Sequence, residues 1–349
     1  MTESETIVVV GAGVIGLSIA LNIQQYLSPS QSVLIVARDL PSDTSVNYAS
    51  PWAGAHYRPV PGSSPQALRE AGQALRTYEF MKRVAVDEPA SGVQFIKGIE
   101  YLEAPPPEYL DEQSVRNSYS HLDGLRYLSA KERPAGVVWG VEYDTYVVNS
   151  PVYCAYMLRK FILKGGSMRK YTLASLKEAF SLASNVRTVV NSSGTGFGDP
   201  ESFIIRGQTC LVRNLSSATI TRQNSDGSWS FCIPRPLDGG TIIGGTKQPH
   251  NWDPHPSPEI RATLLANAAK WFPFTPESEG KFDVIHDIVG RRPAREGGMR
   301  LEVEKVGSEQ FIVHAYGAGG RGFEISRGVA EDTTALMLDH GFLHPKAAL

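Results

Sequence analysis

Cysteine is nearly missing from this chain: its 349 residues carry three, Cys154, Cys210 and Cys232, with no CxxC pair and one thiol left over. That spacing argues against a disulfide framework and a thiolate zinc site, and a reducing compartment is the expectation. An excess of either charge is missing too. With 34 basic and 36 acidic residues interspersed, the formal net charge is −2, which offers no electrostatic footprint for nucleic acid or an anionic membrane. The eight histidines show no metal-ligand spacing, and neither a GxSxG elbow nor an HExxH pair occurs. One long uncharged stretch, residues 6–23, follows Glu3 and Glu5 instead of a basic segment and is broken by three glycines. It reads as strand, turn and helix, not as a signal peptide or membrane span.

What is present points to two domains, since the length suits two cores of about 150 residues each. Ile7 to Val10 is a β-branched run that Gly11 ends, Val14 to Gln25 has helical periodicity, and Val33 to Val36 is a second apolar run. Together they make one βαβ unit of a parallel sheet. Near Pro59 the composition shifts to prolines, tyrosines and short alternating runs such as Val93 to Ile96 and Gly136 to Val141, which suggest antiparallel strands. Ser150 and Pro151 read as a helix start and Gly165-Gly166 as its end. Val186 to Asn191 is another buried strand, and Ser230 to Ile233 and Thr241 to Gly244 are strand-like. The chain closes with a strand, Phe311 to Ala315, a glycine-rich turn and a helix, Ile325 to Leu338. The nucleotide domain is therefore expected to be discontinuous.

Gly11-Ala12-Gly13-Val14-Ile15-Gly16 has the spacing of a dinucleotide fingerprint after a strand and at a helix start. Gly11 permits the tight turn, Gly13 lets the backbone approach a pyrophosphate, and Gly16 lets helix and strand pack closely. A tight βα turn without a ligand is the plainer reading. After the second strand, Asp39 suits a ribose hydroxyl and Arg38 a phosphate, or both are ordinary solvated charges. These residues alone do not choose among FAD, NAD and NADP. Gly317-Ala318-Gly319-Gly320-Arg321-Gly322 presents a second helix N-terminus, of the kind that favours the negative charge of a reduced flavin. Gly290-Arg291-Arg292-Pro293 puts guanidinium groups, natural bidentate partners of a carboxylate, at a strand end. On charge alone Arg291, Arg295 and Arg300 compete for that role, with a surface salt bridge as the alternative. His314, in an apolar strand, reads as a core histidine.

The stretches Gly11 to Ser18, Ala49-Ser50-Pro51-Trp52-Ala53-Gly54-Ala55, Val190-Asn191-Ser192-Ser193-Gly194, Ile233-Pro234-Arg235-Pro236, Gly244-Gly245-Thr246, Gly290 to Pro293 and Tyr316-Gly317 resemble, in the same order, those of the D-amino-acid oxidases. The likeness spans nearly the whole chain and is strongest to the fungal branch, with D-aspartate oxidases as close kin. It implies a Rossmann-like α/β FAD-binding domain over 1–56, 145–206 and 305–349. It also implies an α+β substrate domain over 57–144 and 207–304, with a large mixed, mainly antiparallel β-sheet and the isoalloxazine of noncovalent FAD at the domain interface. By the same resemblance, Gly11, Gly13, Val14, Ile15, Gly16, Arg38, Asp39, Thr44, Ser45, Ala53, Gly54, Ser193, Gly319 and Gly320 hold the cofactor. Gly322, Phe323 and Glu324 lie near its pyrimidine edge. Arg292 takes the substrate carboxylate, and the Gly320 carbonyl accepts from the substrate amine.

The implied reaction is hydride transfer from the Cα of a D-amino acid to flavin N5, with O2 then reduced to hydrogen peroxide and the imino acid hydrolysed to a 2-oxo acid and ammonia. It needs no protein base if the amine binds neutral; placement and charge stabilisation carry it. Three positions depart from the family pattern: Phe231 where tyrosine is usual, Lys247 after Gly-Gly-Thr, and Arg327 where tryptophan is common. In the D-aspartate oxidases an arginine follows that Gly-Gly-Thr, so Lys247 would extend a broad range toward acidic substrates, unless it points into solvent. The alternatives are an oxidase selective for D-aspartate or D-glutamate and, from other classes, a nicotinamide-dependent reductase or a non-catalytic nucleotide sensor. A homodimer is compatible with the family. A peroxisomal or cytoplasmic location is expected, although Lys346-Ala347-Ala348-Leu349 lacks the basic penultimate residue of a Ser-Lys-Leu address.

Overall fold

A computed structural model of the chain describes residues 4–272 and 281–343; the C-terminal tail 346–349 lies outside them. The elements begin with β1 (Glu5–Val10), α1 (Val14–Ile23), β2 (Gln31–Ala37), α2 (Pro65–Asp87), β3 (Val93–Leu102), α3 (Glu112–Tyr119), β4 (Arg126–Tyr127), β5 (Trp139–Val148) and α4 (Ser150–Leu163). They continue with β6 (Ser167–Lys170), β7 (Thr188–Asn191), β8 (Ser202–Val212), β9 (Ala218–Gln223), β10 (Trp229–Pro234), β11 (Thr241–Gly244) and β12 (Gln248–Pro249). The last are α5 (Pro258–Trp271), β13 (Val284–Arg295), β14 (Arg300–Lys305), β15 (Phe311–Tyr316) and α6 (Gly322–Asp339).

Two compact units result: Met1–Pro51, Pro151–Ile205 and Arg292–Leu349 form one, Trp52–Ser150 and Arg206–Arg291 the other. The first holds a six-stranded sheet in the order β14-β15-β7-β1-β2-β6. All neighbours run parallel except β14, which pairs antiparallel with β15 at one edge. Ile7, Val8 and Val9 are fully buried, as the unbroken apolar run predicts for a strand covered on both faces. The boundaries differ from those expected. Residues 292–304 join this unit because β14 pairs with β15 from Arg300 opposite Tyr316 to Lys305 opposite Phe311. Ala53 and Gly54 leave it: the neighbouring Ala55 exchanges backbone hydrogen bonds with Val148, at 3.2 and 2.8 Å, in the second unit.

The second unit is built on a mixed, mainly antiparallel nine-stranded sheet, ordered β12-β8-β11-β10-β9-β3-β5-β4, with β13 also paired to β8. Only β3 and β9 pair in parallel among the registers resolved. Along β10 the side chains alternate faces. Cys232 packs with Cys210, Ile220, Ile243 and the α5 residues Leu264 and Ala268, whereas Ile233 packs with Val147, Ile242 and Ile288, and Phe231 joins that second cluster.

The stretch after Pro59 suggests strands in sequence, yet it contains the 23-residue helix α2. Its start was signalled: the Ser64 hydroxyl accepts from the Ala67 amide at 3.1 Å and Pro65 occupies the first turn. Ala74, Tyr78 and Met81 at helical spacing form its buried face. Ser150 is the first residue of α4 itself, a one-residue shift, and Gly165 ends that helix with φ +87°.

Candidate active site

The first unit gathers its chemistry at one edge of the parallel sheet. In such sheets ligands bind outside the carboxyl ends of the strands, where the order of connections reverses; here β1 is flanked by β2 and β7, and the turns after β1, β7 and β15 come together. The Gly11 amide donates to Val36 O at 2.8 Å, Ser192 to Val10 O at 2.9 Å, and Gly317 to Gly194 O at 3.0 Å. Gly11 has φ +110°, and a Cβ there would stand 2.4 Å from Ser192 O; one on Gly16 would stand 2.1 Å from Gly11 O. Both glycines are therefore fixed by protein packing. Gly13 is different, because a Cβ there would meet only the Ser50 hydroxyl, at 3.0 Å, so its bareness serves something outside the packing.

Two helices begin here with no side-chain cap of their own, α1 after Gly13 and α6 after Arg321. They start side by side: a Cβ on Gly322 would lie 3.5 Å from Val14 Cγ1. Asn22 of α1 donates to Ala330 O and to the Thr334 hydroxyl of α6, at 3.3 and 2.6 Å. The positive ends of two helix dipoles thus face the same edge. Ser50, to which the sequence motifs assign no role, accepts from the Val14 amide at 2.9 Å from 36 residues away.

Arg38 and Asp39 pair with each other at 2.7 Å, and Asp39 is the more buried partner. Asn47 donates its amide to Ser45 Oγ at 3.2 Å, and Thr44 just before them is exposed. Ser193 donates to Asn191 Oδ1 at 2.7 Å and accepts from the Gly196 amide at 3.1 Å, which fixes the turn after β7. Gly319 has φ +58° and donates to Pro293 O at 2.7 Å. In the first turn of α6 Glu324 pairs with Arg321 at 2.8 Å, Phe323 is buried, and Arg327 pairs with Glu331 at 2.7 Å. These residues fit a dinucleotide whose diphosphate and ring both need backbone N–H groups.

The competing arginines separate by their partners. Arg295 pairs with Asp199 at 2.8 Å, and Tyr316 donates to the same carboxylate oxygen at 2.6 Å. Those hydrogen bonds hold Asp199 down at about 2 although burial opposes them. Arg300 pairs with Glu302 and Glu304, and Arg291 donates to Trp252 O and lies over the Trp252 ring. Arg292 is different in kind, because burial pulls its guanidinium below the usual arginine range. Its Cδ would stand 3.7 Å from a Cβ on Gly320, so the residues expected to take a carboxylate and an amine lie together. His314 bridges Asn191 and Glu304 at 3.2 and 2.9 Å, and burial lowers its pKa, as a core histidine requires.

In the second unit Phe231 stands opposite Gly244. A Cβ on Gly244 would be 2.1 Å from the Phe231 ring and one on Gly245 2.9 Å, so the glycine pair exists to admit that ring. Lys247, two residues on, is exposed. Ala53 and Gly54 are held by Arg235, whose Nη2 donates to Ala53 O at 2.7 Å and whose Nε donates to Gly54 O at 3.0 Å. Burial lowers the Arg235 pKa to about 10. His56, a lone histidine without a sequence signal, bonds Thr219 Oγ1 at 2.7 Å. Because that hydroxyl donates to Cys232 O at 3.2 Å, His56 Nδ1 must be the donor to it, and burial holds the imidazole neutral with a pKa of about 3.

Residues 6–336 match the DAO family, described as FAD dependent oxidoreductase. The chain belongs to that family. A D-aspartate oxidase from Talaromyces thermophilus is 45% identical over 95% of both chains. A D-amino-acid oxidase from Schizosaccharomyces pombe is 32% identical over 95% of this chain and 96% of its own. Among solved structures, the FAD-bound L-alpha-glycerophosphate oxidase of Mycoplasma pneumoniae superposes with TM-score 0.71 at 15% identity, covering 99% and 97% of the two chains. Glycine oxidase from Geobacillus kaustophilus gives 0.66 at 18%, covering 99% and 100%. At such identities these two share the fold. For this FAD-dependent oxidoreductase the dinucleotide is thus FAD, and the nicotinamide reading is set aside.

Proposed function

We propose that this enzyme oxidises D-amino acids with an acidic side chain, D-aspartate and D-glutamate, to the 2-oxo acid and ammonia. The observation that carries this reading is Lys247, an exposed ammonium two residues beyond the Gly244-Gly245 pair that Phe231 covers. FAD, when bound, would supply the hydride acceptor and the route by which O2 is reduced to hydrogen peroxide. Arg292 takes the substrate α-carboxylate through its planar fork, and desolvation strengthens that pairing. The Gly320 carbonyl accepts from the amine and holds the Cα–H in place; Lys247 takes the side-chain carboxylate as a point charge. We favour this over the broad range expected above because the relative at 45% identity is a D-aspartate oxidase, while D-amino-acid oxidases stand at 32%. Lys247→Met keeps the stem and removes the charge. The ratio of kcat/KM for D-aspartate to that for D-methionine is expected to fall about tenfold or more, or about 1.4 kcal/mol. An unchanged ratio would remove the acidic preference.

A further inference from the structure

Between β11 and α5 the chain runs from Thr246 to Ser257 with only the two-residue strand β12 for regular structure. Long connections of this kind are held by something or they wander. Besides the pairing of β12 with β8 and the Arg291 contact with Trp252, the holding is done by two buried polar side chains of β8, Arg206 and Gln208, at 2% and 0% exposure. Arg206 Nε donates to Asp253 O at 2.8 Å, Nη1 to Gln248 Oε1 at 2.5 Å, and Nη2 to His255 O at 2.5 Å and Gln208 Oε1 at 3.4 Å. Gln208 Oε1 accepts from the Ser257 amide, and its Nε2 donates to Ser257 O, both at 2.8 Å. Gln208 also grips Thr246 through its backbone: its amide donates to Thr246 Oγ1 at 2.8 Å, and its carbonyl accepts from the Thr246 amide at 3.2 Å.

Two features of this arrangement matter. Among the described residues no carboxylate pairs with Arg206, so a fully buried charge is compensated by oxygens of the connecting segment. A buried guanidinium is costly unless its donors are met, hence the segment's position and the burial of Arg206 enforce each other. Lys247 is bracketed: Thr246 before it is tied to Gln208, Gln248 after it to Arg206, and its own side chain is exposed. The backbone of Lys247 is thereby fixed on both flanks while its ammonium is left available. We infer that Arg206 is a specificity-positioning residue, which sets the place of the Lys247 ammonium through Gln248 and the carbonyls of Asp253 and His255. This rests on the reading of Lys247 given above.

The test compares Arg206→Met, Gln248→Leu, Lys247→Met and the double variant Arg206→Met/Lys247→Met, as flavin-loaded enzymes. Gln248→Leu cuts the tie next to Lys247 while leaving Arg206 its two backbone carbonyls, so it serves if Arg206→Met does not fold. Arg206→Met or Gln248→Leu should lower the D-aspartate to D-methionine ratio of kcat/KM several-fold. In the Lys247→Met background Arg206→Met should lower it no further, because contacts acting through one group are not additive. Native-state trypsin should cut after Lys247 several-fold faster in either single variant than in the parent, a readout independent of turnover. If Lys247→Met lowers the ratio while Arg206→Met and Gln248→Leu both leave it unchanged, the positioning role is overturned and the Lys247 reading stands. If Lys247→Met leaves the ratio unchanged, the Lys247 reading fails and takes the positioning role with it. A further fall in the double variant would also overturn the role, since Arg206 would then act other than through Lys247.

Discussion

Arg292→Ala should separate activity from stability in a way that a structural arginine would not. Two unit charges about 4 Å apart attract by about 4 kcal/mol at an effective dielectric near 20, and truncating one member of a desolvated pair costs about 2–5 kcal/mol. At about 1.4 kcal/mol per decade, kcat/KM for D-aspartate should fall between about 30-fold and a few thousand-fold. Stability should change less than activity, because burial already pulls the Arg292 pKa down and the folded chain holds the charge at a desolvation cost. Flavin content, read at the visible band, should stay near one per chain, because Arg292 is assigned to substrate and not to cofactor. Arg295→Ala provides the contrast: it breaks the pair with Asp199 beneath the Tyr316 hydroxyl, so it should lower the melting temperature before it touches the chemistry. Steady-state kinetics and thermal melts on both variants decide the matter. Near-normal turnover in Arg292→Ala, with loss in Arg295→Ala, would refute the choice among the arginines.

Gly13→Val should yield folded but colourless protein, since a Cβ there meets only Ser50 within the fold and the side chain beyond it would occupy pyrophosphate space; full flavin content in that variant would sink the assignment. His56 gives a pH prediction with a definite sign. The folded imidazole stays neutral down to about 3 whereas the unfolded one protonates near its ordinary value. Its contribution is therefore fully present above about pH 6.5 and is lost by about 1.4 kcal/mol per pH unit as pH falls toward 3. Denaturant titrations of His56→Gln across that range should give a flatter curve than the parent, and parallel curves would reject the argument.

The residues of the nucleotide turn were legible because each requirement is local: an apolar run, a glycine where the chain must turn, and a helix start three residues on. The same holds for the second glycine-rich turn before α6 and for the strand-like stretches around Phe231 and Gly244. Helix α2 was equally local, with Ser64 and Pro65 marking its start, but the surrounding prolines and tyrosines suggested strands. Spacing could not reveal pairings between distant segments. Ser50 reaches Val14, Arg235 holds Ala53 and Gly54, and Arg206 holds residues 248–255, each across 36 or more positions, and no periodicity links such partners. Nor could charge rank the four arginines from Arg291 to Arg300. Only the packed chain, by giving Arg295 and Arg300 carboxylates, Arg291 the Trp252 carbonyl and ring, and Arg292 a desolvated place beside Gly320, made them different. A charge acquires its function from what surrounds it, and the surroundings are set by strand register and burial, which the linear order of residues does not contain.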